Sequence, residues 1–236
     1  GKRFNLSVAN FKDSIKYYWG DAYTHQIETG ITLARVQFSM PIAEDHTLIT
    51  GSEYDSRTFD YRLDQILFVC AEADSGRCQD GRRDRVLGGG KLDIDETSVY
   101  LIDSWQINQY VNLEAGIQYN ENNFTGESFV NPRMSIAWDL NEQYTLNAAA
   151  GSYNRVPDLD YLLPEIGNPE LQSHTAEHYT LGLKRDLEND WNWSVEIYHK
   201  KLSKLPLSIV IDEADGWSFF ANDTDGDVKG IVIMVN

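Results

Sequence analysis

The chain has 236 residues, of which 42% are hydrophobic and 12% aromatic, and its formal net charge is −17. Such an acidic surface repels a phosphate backbone, so the composition argues against a nucleic-acid partner. No run of about 18 apolar residues occurs, which excludes a transmembrane helix. The composition is still compatible with membrane-spanning strands, because a strand in a barrel exposes only every second residue to lipid.

Strand-like runs follow one another along the chain, and no helix longer than about two turns is predicted. The runs lie at 3–19, 23–40, 46–68, 93–107, 111–124, 131–140, 144–153, 173–187, 191–207 and 226–236. Short connections alternate with long ones, which fall at 69–92, 154–172 and 208–225. In an up-and-down sheet every second connection lies at the same end. One end should therefore carry tight turns and the other long loops, as in outer-membrane barrels.

The first long loop holds a cysteine pair and an arginine cluster. Cys70 and Cys78 are close in sequence within a polar loop, which predicts a disulfide bond and an oxidising compartment. Two free thiols are the alternative. Arg82 and Arg83 belong to a group of arginines in an otherwise acidic chain. They are candidates to bind an anionic ferric chelate or a lipopolysaccharide phosphate, and a solvated charge run is the alternative.

Alternation with a period of two makes one face of the predicted strands apolar. Met134, Ile136 and Trp138 share one face of their strand, whereas Ser135 and Ala137 share the other. Aromatic residues gather near the end with the short turns, and they are Trp105, Trp138, Tyr144, Trp191 and Trp193. Because Trp and Tyr favour the membrane–water interface, this pattern predicts one girdle of a lipid-facing belt. A soluble all-β domain with a buried apolar face is the alternative.

The segment from about 93 to 207 resembles the barrel of a TonB-dependent outer-membrane receptor. The resemblance rests on the succession of "ETSVYLIDSWQINQYVNLEAGIQYN", "NPRMSIAWDLNEQYTLNAAAGSYNR" and "GNPELQ" before "HYTLGL". It implies an all-β fold in the bacterial outer membrane, a transmembrane antiparallel up-and-down barrel of about 22 strands closed around an N-terminal plug. It also implies energised uptake of a scarce ligand such as a ferric siderophore, driven by the TonB complex.

Residues 1–236 are expected to form only a segment of such a barrel, with about ten strands. No plug and no TonB box is found, and the final "IVIMVN" lacks the terminal aromatic of a closing strand. The expected partners are the TonB complex through a plug domain outside this chain, a small-molecule ligand such as a metal chelate, and outer-membrane lipid. No cofactor and no catalysis are expected, since no catalytic constellation stands out. A passive porin-like channel, a barrel enzyme and a soluble β-rich binding domain are the alternatives.

The loop at 154–172 is the best candidate for ligand binding. It carries the polar residues Arg155, Asp158, Asp160, Tyr161 and Glu165. Its three prolines and the bulky "YLLP" favour an ordered loop. A loop that caps the barrel without touching a ligand is the alternative.

Two motifs resemble metal sites, but neither is expected to bind a metal. "HTAEH", His174 to His178, has a zinc-protease spacing, but on a strand its two histidines would lie about 13 Å apart. "NDTDGD", at 222–227, has the density of a calcium loop but lacks the distal glutamate. A polar turn that enters a strand is predicted there instead.

Overall fold

The computed structural model describes residues 2–18, 23–68, 83–186, 191–212 and 217–235. These ranges contain ten strands and one short helix. The strands are β1 (Arg3–Tyr18), β2 (Tyr23–Pro41), β3 (His46–Phe68), β4 (Arg83–Asn108), β5 (Val111–Asn122), β6 (Ser128–Asp139), β7 (Tyr144–Arg155), β8 (His174–Arg185), β9 (Trp193–Asp212) and β10 (Trp217–Val235), and the helix is α1 (Leu159–Leu162).

Every strand pairs antiparallel with the next one along the chain, in the order β1 to β10. Over the described ranges this is one open up-and-down sheet with β1 and β10 at its edges. The predicted all-β, up-and-down architecture is therefore confirmed. No helix in these ranges is long and apolar enough to cross a membrane.

Two of the predicted loops were drawn too long. β4 begins at Arg83, although the prediction began it at residue 93, and β9 and β10 extend to Asp212 and from Trp217. Most of the predicted loop at 208–225 is therefore strand. Runs of glycine, as at 88–90, and of Asn, Asp and Gly, as at 222–227, are typical of turns, so local sequence patterns favour loops here. Both stretches are hydrogen-bonded to a neighbouring strand instead.

Part of the first long loop lies outside the described residues. Cys70, Cys78 and Arg82 fall in the range 69–82, so the disulfide bond and the role of Arg82 stay predictions. Arg83 is the first residue of β4.

The strand register sorts side chains onto two faces of the sheet. Gly51 pairs with Tyr100, Tyr100 with Gln118, and Gln118 with Asn131, so these four residues share one face. The connection between β7 and β8, residues 156–173, packs against this face, and we call this connection the strap. The face that carries the strap is called the inner face, and the opposite one the outer face.

The polar stretch at 222–227 forms an irregular part of β10. The register between β9 and β10 shifts twice between Ala221 and Gly226. Lys204, on β9, has a positive φ of 60° there. Asn222 Nδ2 donates to the Lys204 carbonyl at 2.8 Å, and the Lys204 backbone N–H donates to Asp225 Oδ1 at 3.4 Å. These polar side chains therefore stabilise a bulge in a strand, and the predicted turn is wrong.

Candidate functional site

The outer face carries a broad apolar band. Its large hydrophobic side chains are more than one-third exposed, among them Phe4, Leu6, Val8, Phe38, Leu101, Ile117, Met134, Ile136, Leu181, Ile197, Ile231 and Ile233. Monomeric soluble proteins rarely expose an apolar surface of this extent. The band therefore requires a cover outside this chain.

The five aromatic residues predicted as a girdle lie at the short-turn edge of this band. Trp105 and Trp138 lie near the ends of β4 and β6, and Tyr144 and Trp193 begin β7 and β9. Trp191 precedes Trp193 and is 69% exposed. The Trp105 indole stacks on the His46 ring of β3. Its Nε1 donates to Asp45 Oδ2, in the turn between β2 and β3, at 2.9 Å.

A second aromatic row borders the band on its other side. It consists of the outer-face residues Tyr54, Tyr119 and Tyr179, each 41–44% exposed. On β5, Tyr119 lies eight residues from Val111, which pairs with Trp138 of the first row. This spacing corresponds to about 26 Å along the strand. The predicted girdle includes only the first row, although the same alternation also places these tyrosines on the outer face.

The strap is anchored on one side to β3 and β4. Leu163 is fully buried and packs against Tyr61 and Leu63 of β3. Tyr61 Oη donates to Glu165 Oε2 at 3.1 Å, and the Gly89 backbone N–H donates to Glu165 Oε1 at 3.3 Å. Burial, and then the neighbouring Glu165 carboxylate, raise the pKa of Tyr61 to about 12.

Glu165 can approach the sheet closely because Gly88 has no side chain. A Cβ atom at Gly88 would lie 2.5 Å from Glu165 Cγ, which is well inside van der Waals contact. Gly89 supplies the backbone donor, and Gly90 lies under the Tyr61 ring, whose Oη would be 3.4 Å from an added Cβ. The glycine run in β4 thus forms the seat of the strap.

The other side of the strap is anchored to β9 and β10. The Tyr161 ring meets Phe220 edge-on, with 4.8 Å between the centroids, and Asn168 Nδ2 donates to the Phe220 carbonyl at 2.8 Å. Asn222 holds the backbone of Gln172 at both ends: its Oδ1 accepts from the Gln172 N–H at 2.7 Å, and its Nδ2 donates to the Gln172 carbonyl at 3.0 Å. The strap therefore extends across the inner face from β3 and β4 to β9 and β10.

The five candidate residues of the loop predicted at 154–172 have different surroundings. Glu165 and Tyr161 hold the strap in place, as described above. Arg155 Nη2 donates to Asp158 Oδ1 at 2.5 Å, so these two exposed side chains neutralise each other. Asp160 is 64% exposed and lies 3.9 Å from the buried His25 Nε2. The structure thus places the five residues on one ordered segment without directing them at a common point.

A cavity of about 550 Å³ opens on the inner face. One wall is formed by Arg35, whose Nε lies 3.0 Å from Glu53 Oε1 and whose Nη2 donates to Tyr100 Oη at 3.3 Å. The other wall is formed by Arg133, whose guanidinium carbon lies 4.6 Å from the centre of the Tyr153 ring. The cavity is therefore lined by two arginine–tyrosine pairs and by the carboxylates of Glu53 and Glu114.

Metal ligands do not cluster in this part of the molecule. Among the described residues, no three His, Cys, Asp or Glu side chains are placed to hold a metal ion. His174 and His178 both lie on β8, as the strand interpretation of "HTAEH" predicted.

Residues 3–233 match the family described as TonB dependent receptor-like, beta-barrel. The chain belongs to this receptor family. The predicted resemblance is thereby confirmed, and the open ten-stranded sheet is a partial TonB-dependent receptor barrel. Members of this family are receptors and transporters of the outer membrane.

Solved structures of siderophore receptors share the fold of this chain. A double mutant of the ferric enterobactin receptor PfeA from Pseudomonas aeruginosa superimposes with a TM-score of 0.68 at 15% identity, over 98% of this chain and 38% of that one. The siderophore receptor PirA from Acinetobacter baumannii gives 0.65 at 14% identity, over 98% and 39%. In Escherichia coli (strain K12), the uncharacterized protein YddB is 32% identical over 110 residues, which are 44% of this chain and 13% of that protein. The chain thus spans less than half the length of these proteins.

Proposed function

We propose that this chain is part of an outer-membrane receptor for the energised, TonB-dependent uptake of a scarce ligand such as a ferric siderophore. The observation that carries the proposal is the contrast between its two faces. The outer face is an apolar band between two aromatic rows, and the inner face carries a polar cavity beside an anchored strap. Membership of the TonB-dependent receptor family supports this interpretation.

The outer face supports a location in the bacterial outer membrane. Barrels of that membrane have an apolar band about 25 Å tall between girdles of aromatic residues. Trp138 and Tyr119 are about 26 Å apart along tilted strands, so their vertical separation is somewhat smaller. Lipid is the cover that such a band needs. β3 continues well beyond Tyr54 to Phe68, and the strap packs against Tyr61 and Leu63 in this extension. The strap therefore lies outside the proposed membrane layer.

The inner face supports a small-molecule ligand. A volume of about 550 Å³ lies within the range of about 300–1,000 Å³ that is usual for such sites. The related structures include a ferric enterobactin receptor, a siderophore receptor and a copper transporter. A metal chelate is therefore the class of ligand that we propose. Arg155, at the end of β7, and the strap residues Asp158 and Asp160 are exposed candidates to contact it.

The source of energy would be the TonB complex, acting through a plug domain outside the chain described here. Receptor barrels of about 22 strands have a plugged lumen. A ligand bound on the inner face therefore needs a driven rearrangement to pass. We propose no catalytic step.

The test is transport by the full-length receptor in a strain that lacks its own siderophore receptors. Ferric enterobactin labelled with radioactive iron is the probe. We expect uptake above that of the same strain with an empty vector, and no uptake when the tonB gene is deleted. Uptake that persists without TonB would indicate a passive channel. Absence of uptake and of binding for a panel of ferric chelates would contradict the proposed ligand class.

A further inference from the structure

On the outer face, the second aromatic row continues from β8 into basic side chains on β9 and β10. Tyr179 pairs with His199, and His199 pairs with Lys229, so the three side chains follow one line of neighbours. The other two tyrosines of this row, Tyr54 and Tyr119, are flanked on their own lines by the neutral residues Ala34, Thr97, Val99 and Val130. We call His199 and Lys229 the basic pair.

A single carboxylate, that of Asp227, holds the basic pair in place. Asp227 Oδ2 lies 2.6 Å from His199 Nε2, and Asp227 Oδ1 lies 3.2 Å from Lys229 Nζ. The Lys229 side chain is 70% exposed, and its ammonium group has three N–H donors. Donors of a fixed lysine therefore stay available for an acceptor outside the protein.

An apolar groove of about 540 Å³ lies beside these donors. Its lining includes the basic pair and the next line of outer-face residues towards the short-turn end, which consists of Leu181, Ile197 and Ile231. Basic groups at one end and aliphatic side chains at the other make this groove amphipathic.

A solvated ion pair would explain only part of this arrangement. An exposed pair such as Asp227 with Lys229 contributes little to stability, and it needs no groove beside it. The basic pair lies in the second aromatic row, which marks one boundary of the apolar band. This boundary is on the side of the strap and the long loops, which face the outside in outer-membrane barrels. The basic pair therefore lies at the level of the lipid head groups of the outer leaflet.

We propose that this groove binds one phosphorylated lipid of the outer leaflet. The inference rests on the proposed location in the outer membrane and assigns one lipid site on that surface. The lipid phosphate accepts a hydrogen bond from Lys229 Nζ, and the His199 ring is a second donor when it is protonated. One acyl chain lies along Leu181, Ile197 and Ile231. Charge complementarity favours a phosphate, because hydrogen bonds between a cation and an anion are the strong ones.

The test is lipid binding to the purified full-length receptor in detergent, measured by native mass spectrometry. The probes are lipid A with both phosphates and the same lipid after removal of its phosphates. The variants are His199→Gln, Lys229→Gln and the double variant. Lys91→Gln is the matched control, because Lys91 is another exposed outer-face lysine near an aspartate, 3.7 Å from Asp60, but it lies on β4.

A second pair of variants tests the acyl-chain part of the groove. Ile231→Trp adds bulk to the lining of the groove. Ile233→Trp makes the same change two residues along β10, on the same face and beside the groove. The two isoleucines are matched, since they are 67% and 68% exposed.

We expect Lys229→Gln to bind phosphorylated lipid A about tenfold more weakly, and the double variant about thirtyfold. Binding of the dephosphorylated lipid should be the same in these variants as in the wild type. Ile231→Trp should weaken binding of both lipids about tenfold, because the acyl chain loses its contact with the groove. The two controls should bind like the wild type. Lys229→Arg should keep most of the affinity, which separates loss of charge from a folding defect.

Three results would overturn the proposal. Equal affinity of the wild type for both lipids would exclude recognition of the phosphate. Unchanged binding by the double variant would exclude the basic pair. Equal losses in Ile231→Trp and Ile233→Trp would replace the site by a non-specific lipid layer. The uptake assay with ferric enterobactin decides the proposed function separately: lipid binding as expected without uptake of any ferric chelate would contradict the proposed ligand class and leave the lipid site in place.

Discussion

The two faces of each strand in this barrel segment are built on opposite rules. On β6, Met134 and Trp138 point outward and are 55% and 48% exposed, whereas the neighbouring Arg133 points inward onto the Tyr153 ring. Adjacent residues of one strand thus belong to different environments. Among the described residues, most large apolar side chains therefore face away from the strap and the cavity, and the buried cluster of Tyr61, Leu63 and Leu163 under the strap is small.

The sharpest way to break this contrast is a charge in the middle of the apolar band. Met134→Arg should destabilise the full-length receptor in lipid vesicles by about 2–4 kcal/mol, because a charge on the lipid face must be desolvated. Ser135→Arg, one residue along and on the inner face, is the matched control and should cost less than about 1 kcal/mol. The measurement is urea unfolding followed by tryptophan fluorescence. Equal costs for both variants would remove the distinction between the faces.

A smaller effect is expected where the strap is seated on the inner face. Glu165→Ala removes the acceptor of both Tyr61 Oη and the Gly89 N–H, which should cost about 1–3 kcal/mol locally. Glu170→Ala is the control, because this strap residue is exposed. Hydrogen exchange at the Gly167 amide, which donates to the Leu163 carbonyl, reports opening of the strap. We expect faster exchange only in Glu165→Ala. If both variants exchange like the wild type, Glu165 does not anchor the strap.

The smallest effect is a change in strap stability at alkaline pH. The pKa of Tyr61 is raised to about 12 in the folded protein, so its neutral hydroxyl stabilises the strap fully below the ordinary tyrosine pKa of about 10. This contribution should be lost as the pH rises from about 10 to about 12. A nitroxide label at position 170 should become mobile over that interval in the wild type. In Tyr61→Phe, the mobility should not follow this titration, and an identical curve would exclude Tyr61 as its cause.

The local pattern of the sequence predicted the parts of the fold that depend on local geometry. Side-chain alternation along β5 to β8 places Leu113, Ile117, Met134 and Leu181 on one face, and the strand register confirms that they share it. Period-two geometry follows from the pleat of any strand, so it needs no knowledge of neighbours.

The seat of the strap could not be predicted in this way. Tyr61 and Glu165 are 104 residues apart, and Asn222 meets Gln172 across 50 residues. The glycines at 88–90 resemble a loop in the sequence. Their small size is needed because Glu165, from the distant connection between β7 and β8, packs against Gly88. Contacts between remote segments leave no periodic signal in one sequence, so these anchoring contacts are visible only in the folded structure.

The central claim is that the outer face contacts lipid while the inner face contacts water. The most direct test is a nitroxide scan of residues 130–138 in the full-length receptor, reconstituted in vesicles after all native cysteines are replaced by serine. We predict that accessibility alternates with a period of two: labels at Met134 and Ile136 meet dissolved oxygen, and labels at Ser135 and Ala137 meet a water-soluble nickel chelate. Labels at Met134 and Ile136 that reach neither reagent would show a sealed protein interior and would contradict the account.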